Sequence, residues 1–274
     1  MKKSDSLIQL LQQYPSLCVA YSGGTDSDFL LHAAIRALGK DHVTAIIAKG
    51  EMLAGKDYQA ALALAKQAGA ACYTVEVDAF QEEAFRMNRK DRCYHCKKAI
   101  MGAILDKAAQ LGFSVVADGK NADDQKVYRP GAQAAAELGI VSPLAAAHFT
   151  KDEIRQTAKD WGLSTWNKPS NSCLATRFPY DTLLSKEKFR LVEEAELLLA
   201  EAGIPSGRVR LHGAIARIEI PKDYFLSFTK NDELIRTIKA IGFPYVTLDL
   251  EGFRSGSMDL EGGNNDREFG KTAD

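Results

Sequence analysis

The chain has 274 residues, enough for one large domain or two modest ones. Apolar residues make up 46% and charged residues 26%, which excludes a mostly disordered, collagen-like or mucin-like chain. Lys+Arg 35 against Asp+Glu 36 leaves a net charge of −1, which argues against a broad nucleic-acid or membrane surface. No apolar run approaches the roughly 20 residues that span a bilayer. The polar–apolar alternation of MKKSDSLIQLLQQYPS is not that of a secretory leader. An odd count of 5 cysteines without an export signal points to the cytoplasm and to reduced thiols.

Residues 17–21 (LCVAY) form a short apolar run ending at a glycine turn, the pattern of a buried strand. Helical spacing follows over 28–38, then a strand over 43–48 and a helix over 58–68 stopped by Gly69. A third strand is expected over 72–77, a helix over 94–111 ending at Gly112, and a fourth strand over 114–117. This rhythm implies crossover units, hence an α/β fold with a doubly wound parallel sheet and helices on both faces. Thr150 and Glu153 have capping-box spacing and should open a helix over 152–161, stopped at Gly162. After an irregular stretch the rhythm changes: helix 186–202, strands 208–212 and 214–220, helix 231–241, strand 245–250. The division read here is an α/β domain over 1–177 and a smaller α+β domain over 178–257 for substrate binding or oligomerisation. A tail over 258–274, rich in Gly, Asn and charge, is expected to be disordered.

The sharpest motif is Ser22-Gly23-Gly24-Thr25-Asp26-Ser27, between the first strand and the first crossover helix. Two glycines permit a tight turn whose N–H groups can approach an anion, and the following helix adds its partial positive charge. Ser22 and Ser27 can donate to phosphate oxygens. Asp26 carries the wrong charge for that and suits a magnesium ion bridging phosphates. The motif is neither a Walker loop nor a dinucleotide fingerprint, and it lacks the Walker lysine. Asp28, one further acid, is expected to face solvent. Asp118-Gly119-Lys120-Asn121-Ala122-Asp123-Asp124 follows the fourth strand, so a parallel sheet would deliver it to the same carboxyl edge. Arg129-Pro130-Gly131 and Ser142-Pro143-Leu144 continue along that edge.

Cys93-Tyr94-His95-Cys96 opens a helix whose N-terminus favours thiolate. Alone it fits a redox pair, half a zinc site or an iron–sulfur site. Cys173 lies in the loop NSCLATR, with Arg177 near enough to stabilise a thiolate; Cys18 and Cys72 read as small buried residues. Arg208 and Arg210 share a strand face and suit bidentate phosphate binding, although the spacing alone favours a solvated strand face.

SGGTDS resembles the signature of the N-type ATP pyrophosphatases, the PP-loop superfamily with an adenine nucleotide alpha-hydrolase-like fold. DRCYHCKKAI, DGKNADD, YRPG, SPL, the KPSNSCLATRFPY block and RVRLHGAIARIEI extend the resemblance over most of residues 15–250, specifically to the LarE family of ATP-dependent sulfur transferases. The resemblance implies ATP and Mg2+ on Ser22, Gly23, Gly24, Asp26 and Ser27, with Asp26 on the metal. It implies adenylation of the carboxylates of a pyridinium biscarboxylate mononucleotide and their conversion to thiocarboxylates for the nickel-pincer cofactor. It implies that Arg177, Arg208 and Arg210 hold the substrate phosphate and that Cys173 is catalytic. Members carrying three cysteines hold a [4Fe–4S] cluster, so Cys93, Cys96 and Cys173 resemble that kind rather than the kind that sacrifices one cysteine. The partners expected are a small-molecule nucleotide, a sulfide donor the sequence does not specify and further copies of this chain, with neither membrane nor nucleic acid. A tRNA thiolase of the same superfamily, a nucleotide-binding module without chemistry and a structural zinc site are the alternatives.

Overall fold

A computed structural model describes residues 2–125, 130–169, 172–254 and 257–258. In chain order the first elements are α1 (Lys3–Leu11), β1 (Leu17–Ala20), α2 (Thr25–Leu38), β2 (Val43–Lys49), α3 (Gly55–Ala68), β3 (Ala71–Glu76), α4 (Glu83–Arg86) and α5 (Arg92–Gln110). Then come β4 (Val116–Ala117), α6 (Pro130–Glu137), α7 (Pro143–Ala146), α8 (Lys151–Asp160) and α9 (Lys186–Glu201). The last are β5 (Arg208–His212), β6 (Ile215–Glu219), α10 (Phe225–Thr229), α11 (Asp232–Ala240) and β7 (Tyr245–Leu248). They group into two compact units: Met1–Glu82 with Asp91–Ser172, and Glu83–Lys90 with Cys173–Asp274. The chain thus passes between units at three places, where periodicity alone suggests a single break after residue 177. Most of the expected tail, Arg129, Ser170 and Asn171 lie outside the described residues.

The first unit is a parallel sheet of order β3-β2-β1-β4 with helices packed on it. β1 shows why its sequence is apolar without alternation. Leu17 and Val19 pack into a core with Phe29, Leu30 and Ala33 of α2, while Cys18 enters a second core with Met101 and Ile104 of α5. A strand buried on both faces has no polar side to display. β4 is shorter than expected, and α1 is a helix in a stretch to which the sequence analysis assigned no element. Helix α2 begins at Thr25, so the last residues of SGGTDS form its first turn.

The second unit holds a sheet of order β5-β6-β7, antiparallel between β5 and β6 and parallel between β6 and β7. Val209, Ala216 and Ile218 are buried in it. No helix among the described residues is long and apolar enough to cross a membrane.

Candidate functional site: a phosphate-loop cavity

The loop after β1 is shaped by close packing. Gly23 has φ +67°, and a Cβ on it would sit 2.7 Å from the Ala61 Cβ of α3. A side chain there is excluded by both backbone conformation and space. Gly119, after β4, approaches equally closely: its Cβ would lie 2.9 Å from the Ser27 backbone nitrogen. Adjacent parallel pairing of β1 and β4 causes this approach, since it brings both strand ends to one edge of the sheet.

Ser22, Gly24, Thr25, Asp26 and Ser27 line a cavity of about 610 Å³ together with Asp118, Gly119, Lys120 and Asp124 from the β4 loop. Leu53, Asp57, Cys93, Lys97, Gly131, Lys151, Lys168 and Pro169 also contribute, and these residues all belong to the first unit. The volume suits a small-molecule ligand. The Ser22 and Ser27 hydroxyls lie 3.1 Å apart, and Ser27 Oγ also donates to the Gly24 carbonyl. The loop amides and the start of α2 form an anion cradle.

The acidic wall is ordered by hydrogen bonds. Asp118 Oδ1 accepts from Ser142 Oγ at 2.7 Å and from the Lys120 N–H. Asn121 Nδ2 donates to Asp26 Oδ2, tying the two loops together. Asp123 Oδ2 accepts from the Lys151 N–H at the start of α8, and Thr150 with Glu153 closes the expected capping box on that helix. Lys151 Nζ lies 2.7 Å from Asp26 Oδ1. Among the described residues no three or more His, Cys, Asp or Glu side chains gather to hold a metal. Magnesium ordinarily takes one or two carboxylates plus phosphate oxygens, so the donor chemistry of Asp26, Asp118 and Asp124 fits a phosphate-borne ion.

Asp28 corrects the expectation of solvent exposure. It is 2% exposed, and accepts from Tyr21 Oη at 2.6 Å and Thr165 Oγ1 at 2.7 Å. Burial first, then the Asp28 charge, holds the Tyr21 hydroxyl far above its usual range. Thr25 Oγ1 donates to the Thr165 carbonyl and Lys168 Nζ to the Gly23 carbonyl, so residues 165–168 strap the phosphate loop.

Cys93 and Cys96 occupy the first turn of α5, Cys93 on the cavity wall and exposed, Cys96 buried. Lys97 follows them; burial pushes its ammonium pKa down, against the opposing pull of Asp118. Cys18 is buried as expected, and Cys72 is half-buried.

Cys173, Arg177, Arg208 and Arg210 belong to the second unit. Cys173 Sγ accepts from the Ala175 N–H at 3.4 Å. Arg177 was expected to favour a thiolate there. Its guanidinium meets the buried Glu196 carboxylate in a bidentate pair at 2.8 and 3.0 Å, and the Cys173 carbonyl at 3.3 Å. Arg210 is likewise held by Glu219 at 2.9 Å, and donates to the Thr176 carbonyl. Arg208 donates to the Gly207 carbonyl and lies over the Phe253 ring. The cysteine loop and the RVR strand are therefore adjacent within this unit. The carboxylates that pair with the arginines went unnoticed because Glu196 and Glu219 carry no motif.

A family model described as NAD synthase matches residues 3–109. The chain is 39% identical over 259 residues to pyridinium-3,5-bisthiocarboxylic acid mononucleotide synthase of Lactiplantibacillus plantarum, covering 93% of each chain. It is 38% identical over 259 residues to an uncharacterized protein of Synechocystis sp., covering 93% of this chain and 96% of that one. With an uncharacterized protein of Methanocaldococcus jannaschii it shares 30% over 239 residues, 87% of this chain and 91% of the other. Similarity that runs through both units and includes the phosphate loop places the chain in the LarE family of ATP-dependent sulfurtransferases, within the PP-loop superfamily.

Proposed function

We propose that this chain activates the carboxylates of pyridinium-3,5-biscarboxylic acid mononucleotide with ATP and converts them to thiocarboxylates. The observation that carries the reading is the 39% identity to the synthase of that bisthiocarboxylate, joined to a phosphate-loop cavity built from SGGTDS. A carboxylate oxygen of the substrate attacks the α-phosphorus and pyrophosphate leaves. A sulfur nucleophile then attacks the acyl carbon and AMP leaves. Ser22, Ser27 and the amides of Gly23 and Gly24 hold the pyrophosphate, where they meet the charge that builds on it. Asp26 serves the magnesium ion.

Cys173 is the sulfur-handling residue of this proposal, and Cys93, Cys96 and Cys173 together are the ligands of a [4Fe–4S] cluster. Three thiolates leave one iron open to carry sulfide. Support for the donor set is chemical: three cysteines, two of them three residues apart at the start of one helix. An odd count of cysteines suits a cytoplasmic setting. Arg177, Arg208 and Arg210 are proposed for the substrate phosphate, Arg208 and Arg210 from one face of β5. Substrate binding and homo-oligomer contacts are assigned to the second unit.

The test is incubation of anaerobically purified protein with ATP, magnesium and the biscarboxylate, with pyrophosphate and thiocarboxylate measured per chain. Multiple turnovers with iron and sulfide bound support the cluster. Product limited to one sulfur per chain, with Cys173 desulfurised and no iron taken up, replaces it with a sacrificial cysteine. No pyrophosphate release at all removes the reading.

A further inference from the structure

A phosphate loop that lacks a lysine of its own has to find cationic compensation elsewhere. The first turn of α2 is acidic, with Asp26 and Asp28. Lys151 reaches the cavity but is ion-paired with Asp26. Lys168 differs: it lines the same cavity, and its ammonium donates to a neutral group, the Gly23 carbonyl, at 2.9 Å. An ammonium gains more from an anionic oxygen than from a carbonyl. Its backbone is also fixed in advance. Thr165, three residues earlier, takes a bond from Thr25 and donates one to buried Asp28, so the lysine is rooted against the loop it faces.

We propose that Lys168 is a catalytic residue that binds the pyrophosphate half of ATP on the Ser22–Ser27 loop. The inference rests on the nucleotide reading given under Proposed function and adds the group that compensates the leaving charge. As the bond between the α and β phosphates breaks, its electron pair stays with the pyrophosphate oxygen, and Lys168 exchanges the Gly23 carbonyl for that oxygen. In the sequence Lys168 stands five positions before Cys173.

Calorimetric titration of the full chain with inorganic pyrophosphate, ATP and AMP, each with magnesium, tests this on wild type, Lys168→Ala and Lys168→Arg. Loss of a hydrogen bond to a charged partner predicts pyrophosphate and ATP binding about 10- to 100-fold weaker in Lys168→Ala, with AMP affinity unchanged. Lys168→Arg should recover most of the loss, because it retains the charge. Unchanged pyrophosphate binding in Lys168→Ala overturns the assignment. So does a loss that strikes AMP and pyrophosphate equally together with a lowered Tm, which marks the lysine as scaffold. Wild type that binds neither ATP nor pyrophosphate overturns the nucleotide reading itself, and this proposal with it.

Discussion

Lys151 holds its ammonium 2.7 Å from the carboxylate of Asp26, a residue 125 positions earlier in the chain. Both side chains keep about a quarter of their surface, at 26% and 22%. A pair this accessible contributes at most ~1 kcal/mol to stability. Asp26→Asn should therefore shift the urea midpoint little while lowering ATP-dependent pyrophosphate release by about 100-fold, the scale for removing one preorganised electrostatic group. Near-normal release in that variant would remove Asp26 from the metal role.

Asp28 is a different kind of acid. Removing it leaves the Tyr21 and Thr165 hydroxyls buried without their acceptor. Asp28→Ala should cost about 2–3 kcal/mol in denaturant unfolding, more than the Asp26 variant. Equal effects of the two substitutions would contradict the burial described for Asp28.

Gly23→Ala introduces a Cβ where φ is +67° and the Ala61 Cβ is 2.7 Å away. Strain at such a residue is roughly 1–3 kcal/mol. Thermal melting should register a lower Tm, and nucleotide binding should fall because α3 or the loop must shift. Binding and melting curves that match wild type would show that the loop has room it does not display.

In the second unit Glu219 is fully buried and accepts from Arg210, Arg217 and Ser257. Breaking a buried pair strands the partner charge, at a cost of about 3–5 kcal/mol. Glu219→Ala should unfold at markedly lower denaturant, whereas truncating exposed Glu251 should change little. A small loss in Glu219→Ala would mean that water reaches the cluster.

Alkaline pH tests two buried groups. Desolvation pushes the Cys18 thiol from 9.0 up to about 12, and Tyr21 is raised from 10.0 by burial, then by Asp28. A raised folded-state pKa contributes stability that is complete below the unfolded value and is lost as pH rises past it. Stability should thus decline from about pH 9 upward, less steeply in Tyr21→Phe. In the native state, alkylation followed by peptide mass mapping should label exposed Cys93 well before Cys18. The reverse order of labelling would contradict the two positions.

Much of the first unit was open to reading from local pattern. LCVAY, VTAIIA and CYTVEV are strands because continuous apolar or β-branched runs between turns have few other uses, and T-K-D-E is a helix start because two side chains cap each other. α1 was missed, since its amphipathic spacing was judged only as a possible leader. The break between units was blurred because residues 83–90 pack with a segment that begins ninety positions later, as Asn88 does through the Phe178 and Pro179 carbonyls.

What the sequence settled by itself is whatever depends on neighbours in the chain: a glycine turn after a buried strand, thiols three apart on a helical start, the ATP-binding signature and the family it marks. Only the folded arrangement decided which charges meet. It joined Lys151 to Asp26, enclosed Asp28 behind Tyr21 and Thr165, laid Lys168 against Gly23, and matched the arginines of the second unit to Glu196 and Glu219. Periodicity records which face of an element is apolar. It carries no record of which distant residue will stand opposite a given charge, because that is set by packing between elements.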